Sequence, residues 1–444
     1  MSLPRYPEYK DSGVAWLGEV PGHWKVTQLK RVVDPMRSIT YGIVQAGAGV
    51  EDGVPYIRPA DMSEECGILD ETNLLRTSIE IAASYARSTI KQGDLVCSIG
   101  PSFGKLMVVP HTLDGANLTQ GTARIAVSAE HSPKYIFWSL RSATSFSQWE
   151  SSVGGATFRA LNLGPLAETY ISAPLLEEQT AIATFLDRET GKIDALIAEQ
   201  QRLVELLAEK RQAVISHAVT KGLNPNARMK DSGIEWLGEV PEHWEVKRLK
   251  TISPFISVGI VVNPSDYVSD DGLPFIYGGD ITEGRINFHT SRRITDHDSR
   301  RNEKTRLSAG DLLTVRVGAP GITAVVPPEC EGGNCASVMY VRKGNFNSQW
   351  LCYSMNDRTV RYQVEVVQYG AAQEQFNISH AINFWLATPP REEQDAIASY
   401  LDTETAKFDT LTTEANRAIA LLQERRSALI SAAVTGKIVV TNTN

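Results

Sequence analysis

Residues 100–106, GPSFGKL, come nearest to a reactive motif in this chain. Two glycines followed by Lys105 are the residue types that cradle a phosphate. The glycines stand one residue too close together, however, and Leu106 occupies the place of the hydroxyl that would ligate Mg²⁺. An amino-methylating site would need a Pro-Pro pair followed by an aromatic residue. Here Pro327 and Pro328 precede Glu329, and Pro389 and Pro390 precede Arg391. The histidines are scattered, and His217 has Ala432 at the matching place of a later repeat. Cys330 and Cys335 have no second pair to complete a zinc site. The sequence therefore offers no catalytic residue and no metal site. Its chemistry must be that of binding, set by the elements that hold exposed side chains in place.

Two elements dominate. Residues 174–222 read PLLEEQTAIATFLDRETGKIDALIAEQQRLVELLAEKRQAVISHAVTKG, and residues 389–437 nearly repeat them. In the first copy Ile182, Leu186, Ile193, Ile197, Val204, Leu207 and Ile215 recur at helical spacing. The second copy keeps the register, 215 residues on, with Ile397, Leu401, Phe408, Ile419, Leu422 and Ile430. Such a stripe predicts two helices of about 40 residues and about 60 Å each. Each stripe needs a cover, and the other copy can supply it. The exposed triplets Glu209-Lys210-Arg211 and Glu424-Arg425-Arg426 are expected to solvate the helices or to dock a partner.

The repeat extends beyond the helices. Residues 10–30, KDSGVAWLGEVPGHWKVTQLK, return as residues 230–250, KDSGIEWLGEVPEHWEVKRLK, with 15 of 21 positions identical. The tryptophans and prolines of this motif predict a packed turn leading into a strand. Between motif and helix the copies diverge, but landmarks keep their order. GVPYIRPAD at 53–61 matches GLPFIYGGD at 272–280, and GDLVCSIG at 93–100 matches GDLLTVRVG at 310–318. Short strands at 122–127 and 337–341, helical stretches at 134–147 and 348–363, and polar loops at 154–159 and 370–375 follow. The chain is thus a tandem duplication. The expected fold is α+β: two pseudo-repeated heads of mixed, mainly antiparallel strands, joined by two long antiparallel helices in a coiled coil. The expected domains are 1–173 (first head), 174–227 (first helix and linker), 228–385 (second head) and 386–444 (second helix and tail).

The formal net charge is −8, and each of these four segments carries −2. Bulk charge therefore leaves no nucleic-acid footprint. Only residues 285–306 reverse the sign, with six arginines and Lys304 against Asp296, Asp298 and Glu303. No apolar segment opens the sequence and the odd cysteine count fits free thiols, so the cytoplasm is expected.

The order YPEYKDSG, WLGEVP, HW, GVPYIRPAD, GDLVCSIG, then EEQ and AIA leading a long helix, all twice over, resembles the specificity subunit of type I restriction–modification systems. The resemblance covers essentially the whole chain. It implies a non-catalytic subunit with two target-recognition domains, each reading one half of a bipartite, asymmetric double-stranded DNA site across an unread spacer. It implies that the helix pair sets the spacer and binds two methyltransferase subunits, with ATP-dependent endonuclease and translocase subunits completing the assembly. S-adenosylmethionine, ATP and Mg²⁺ would then sit on those partners and not on this chain.

Under that reading the divergent loops carry the DNA contacts. Base edges call for Arg, Lys, Asn and Gln, and phosphates for Lys, Arg, Ser, Thr and backbone N–H groups. The candidates are Ser102, Lys105, Thr157 and Arg159 in the first head. In the second they are Arg292, Arg293, Arg316, Gln373 and Gln375. Arg58 and its counterpart Tyr277 are expected to be structural. The competing reading is a two-headed adaptor that binds protein or glycan, which the bland charge balance favours.

Overall fold

The computed structural model describes residues 4–63, 67–153, 159–253, 255–368 and 376–440. The chain forms two compact units, Met1–Gln201 with Arg417–Asn444, and Arg202–Asn416. Each unit contains one head and opposite halves of the two long helices, so the units cut across the chain order.

In the first head, Leu95–Ser98 forms the centre of an antiparallel sheet with Thr40–Tyr41, Thr122–Ile125 and Leu106–Val108. All four residues of Leu95–Ser98 are buried. Side chains alternate across a strand, so the strand serves two cores. Leu95 and Cys97 face Trp24, Trp149 and Ile182, whereas Val96 faces Ile57, Met107 and Leu118. A smaller sheet of Arg76–Thr77, Val54–Ile57 and Asn117–Leu118 includes one parallel pair. The second head repeats this plan around Leu312–Thr314, with Leu312 and Leu313 entering different cores. It adds a hairpin, Ile281–Thr282 with Arg285–Ile286.

The helical stretch expected after the sheet is two helices in each head, Pro133–Leu140 with Ala143–Val153 and Ser348–Asn356 with Arg358–Gln368. Capping side chains cause the breaks. The Ser142 hydroxyl accepts from Ser145 N, and the Asp357 carboxylate accepts from Thr359 N at 3.0 Å. Each thereby starts a new helix.

The long helices span Leu176–Lys221 and Arg391–Val434. Within the first unit they pair antiparallel. Arg426 Nε donates to Asp194 Oδ1 at 2.7 Å, while nearer the end of the second helix the carbonyl of Val434 accepts from Tyr135 and Ser172. Arg211 and Asp409 hold the same repeat positions in the second unit and lie 3.8 Å apart. Arg211 and Arg426 are therefore engaged between helices and do not merely solvate them.

The apolar stripe needs a correction. Ile182, Leu186 and Ile430 enter the core of the first head, and Ile215, Ile397 and Leu401 that of the second. These helix ends are covered by sheet and short helices as well as by each other. Ile193, Leu207 and Phe408 remain buried along the middle of the pair, and Ile197, Val204, Ile419 and Leu422 are half-buried.

The repeated motifs explain how head and helix are joined. Trp24 and Trp244 are fully buried, while Trp16 and Trp236 are exposed. His23 lies 3.1 Å from Glu178, and His243 lies 2.6 Å from Glu393, so the HW motif meets the EEQ motif in each unit. The next glutamine is buried: Gln179 accepts from Ser132 N and donates to Pro174 O, and Gln394 does the same with Asn347 N and Pro389 O. Beyond each helix a glycine in the left-handed region turns the chain against a tryptophan. Gly222 (φ 76°) lies against Trp244 and Gly436 (φ 72°) against Trp24 and Pro21.

Candidate nucleic-acid interface

The loops that differ between heads rise from sheets of the same strand order. In the first head residues 100–105 turn a hairpin between two antiparallel strands. No helix N-terminus follows, so the phosphate-loop resemblance has no structural counterpart. Lys105 Nζ donates to the carbonyls of Pro59 and Met62 at 3.2 and 2.8 Å. Its ammonium ties two loops together. Ser102 is exposed, and its carbonyl accepts from the Ser98 hydroxyl at 2.6 Å. Arg159 is exposed, pairs with Glu150, and lies 5.7 Å from the ring centre of Phe103. Thr157 lies outside the described residues. Arg58 donates twice to Asp61, at 3.0 and 2.6 Å, and this bond raises its pKa further. Lys105 and Arg159 are thus engaged with different neighbours, and of the three described candidates only Ser102 has its side chain without a partner among the described residues.

In the second head the guanidinium of Arg292 stacks 4.1 Å from the ring centre of Tyr277. Partial burial raises the Tyr277 pKa, and Arg292 opposes the rise. Arg293 follows in the same strand, Arg292–Ile294, paired through its backbone with Pro274 and Ser269. Arg316 Nε donates to Phe376 O at 3.1 Å, and burial lowers its pKa. Arginine titrates so high that the group remains a cation. Gln373 and Gln375 lie outside the described residues. The basic stretch is largely internally engaged: Arg300 pairs with Asp296 at 2.7 Å, Arg285 with Asp409 at 3.3 Å, and Arg306 donates to Gly332 O at 3.3 Å. Arg301 and Lys304 are exposed and have no side-chain partner among the described residues.

The described cysteines are buried and not activated. Burial pushes the thiols of Cys97 and Cys352 up to about 12 and that of Cys330 to about 11. Among the described residues no cluster of three or more His, Cys, Asp or Glu side chains could hold a metal ion. No helix among them is long and apolar enough to cross a membrane.

A cleft of about 470 Å³ in the first head was not legible in the sequence. Tyr41, Gly100, Gln120, Gly121 and Asn162 line it. The signal available was a short polar loop, TQGT at 119–122, ahead of a buried strand.

A family model described as the type I restriction modification DNA specificity domain matches residues 40–206. The type I restriction enzyme EcoBI specificity subunit of Escherichia coli is 25% identical over 45% of this chain, which spans 42% of that relative's length. The StySPI specificity subunit of Salmonella potsdam is 24% identical over 95% of this chain and 90% of its own. Among solved structures, a chain from work on complex assembly and conformational transition of the type I R-M system has a TM-score of 0.66 at 19% identity. It covers 94% of this chain and 98% of its own. The HsdS subunit from Thermoanaerobacter tengcongensis has a TM-score of 0.51 at 18% identity, with the same coverage.

Proposed function

We infer that this chain, which belongs to the type I restriction–modification specificity subunits, reads a bipartite and asymmetric DNA target with one half-site per head. The observation that carries this reading is one frame with two loop sets. Both heads share sheet order, capping and attachment to the helices. At matching places they present different chemistry, Arg58 against Tyr277 and Ile99 against Arg316. Frames of one plan with unlike loops suit two different ligands of one kind.

In this reading the chain is a non-catalytic, cytoplasmic subunit. Two methyltransferase subunits dock on the helix pair and bring S-adenosylmethionine. Endonuclease and translocase subunits bring the ATP and Mg²⁺ chemistry. The acidic total fits this division, because much of the phosphate contact then falls to partners that close around the duplex.

Salt dependence tests the reading against a protein- or glycan-binding adaptor. The complex purified from its host is titrated with duplex DNA at several salt concentrations. Counterion release predicts a logarithmic slope of about −0.9 per neutralised phosphate. Binding that ignores salt, or no binding to duplex, would favour the adaptor.

A further inference from the structure

The first head's cleft joins a fixed backbone to amide side chains that have no hydrogen-bond partner among the described residues. Residues 119–122 are pinned on three sides. Gln120 N donates to Ile43 O at 2.9 Å, Thr119 N to Ile57 O at 3.1 Å, and Gly121 O accepts from Ile99 N and Gly100 N at 2.7 and 3.0 Å. Gly121 packs so closely on Pro59 that an added Cβ would lie 2.7 Å from its ring. The loop has little freedom, yet the Gln120 side chain is exposed and makes no hydrogen bond among the described residues. Across the cleft, Leu161 is buried with its N–H bonded to Ile99 O at 2.9 Å. Asn162, next in the chain, is an N-cap residue whose side chain does not cap its helix. An asparagine there ordinarily satisfies a helix N–H. Here its amide is left exposed, and among the described residues no carboxylate lines the cleft to repel a polyanion.

The second head keeps the frame and changes the side chains. Ser337 N donates to Ile260 O at 3.1 Å, as Gln120 N does to Ile43 O. Ser337 is exposed and held at φ 60°, a left-handed conformation uncommon for serine. Asn377 matches Asn162 as an exposed N-cap residue with an uncapped helix, and Phe376 before it matches Leu161.

We propose that Gln120 is a specificity-determining residue of the first head, reading a base edge beside Asn162, and that Ser337 beside Asn377 holds the equivalent place in the second. The proposal rests on the DNA-reading function above. A carboxamide offers a donor and an acceptor side by side, the pattern that pairs with N6 and N7 of adenine in the major groove. A loop already rigid in the free protein loses little freedom on binding. Val44, 51% exposed and next to Ile43, suits a neighbouring thymine methyl. Serine carries no such bidentate group, so the two heads differ at the position where their half-sites should differ.

The test compares parent, Gln120→Ala and Gln120→Glu complexes, each offered a random duplex pool, with thermal melting as the folding control. Gln120→Ala should leave melting, spacer and second half-site unchanged. It should relax one position of the first half-site and weaken binding to the parent duplex by about ten- to a hundredfold, the range of one bidentate contact. Gln120→Glu presents only acceptors and should move that position from adenine toward cytosine. Unchanged preference in both variants, with the parent still enriching a bipartite site, overturns this proposal and leaves the function standing. No enrichment by the parent overturns both.

Discussion

At the residue scale the contrast between Lys105 and Gln120 is instructive. Residue type alone favours Lys105 as a DNA contact, because a lysine after a glycine loop suggests phosphate. Tertiary structure brings two carbonyls to its ammonium and leaves the Gln120 side chain without a hydrogen-bond partner among the described residues. Whether a polar side chain is engaged locally depends on distant segments, here Pro59 and Met62, which spacing does not reveal. We therefore expect Lys105→Met to act mainly on stability, lowering it by about 1.5–3 kcal/mol, as for bonds to charged groups. Chemical denaturation of the parent and the variant measures this. A variant of parental stability that lost one half-site preference would return Lys105 to the contact list. The buried Trp24 and the adjacent Gly436 were equally hard to foresee as partners, being more than 400 residues apart in the chain. Trp24→Ala should cost about 3–5 kcal/mol, the usual range for a buried aromatic. Gly222→Ala should cost at least about 1–2 kcal/mol from its left-handed backbone. Melting of each variant against the parent checks both, and an unchanged melting temperature would remove these contacts from the account.

At the element scale the long helices were legible because their period is 3.6 residues and is sustained without a proline. What covered each turn was not. An apolar stripe reads the same whether a helix or a sheet lies against it, so the insertion of Ile182 and Leu186 into one head, and of Ile397 and Leu401 into the other, emerged only from the structure. The broken helices after each sheet were missed for a related reason. Ser142 and Asp357 look like ordinary polar positions until they cap. The ion pairs Asp194–Arg426 and Arg211–Asp409 bracket the middle of the helices. Seven residues inserted into one helix between positions 194 and 211 would break one of these registers. Matched seven-residue insertions in both helices, the second between 409 and 426, preserve both. Each adds about 10 Å, the rise of about three base pairs. The matched variant should select the same half-sites with an unread gap about three base pairs longer. Altered half-site preference at constant gap would defeat the spacer role of the helices.

At the scale of the whole chain, duplication was the most legible feature, since 15 of 21 motif positions repeat. The fold class followed from it, because a repeated order of motif, strands and helix admits few arrangements. Function was less legible, because an evenly acidic chain hides the local chemistry of its loops. The central claim is that two unlike heads read two unlike sequences a fixed distance apart. Its most direct test is to recover the tagged chain with its partners from the host, offer the complex a random duplex pool, and sequence the bound DNA. The account predicts two short defined blocks of different sequence, separated by an unread gap of constant length. A single block, a gap of variable length, or partners without any sequence enrichment would contradict it.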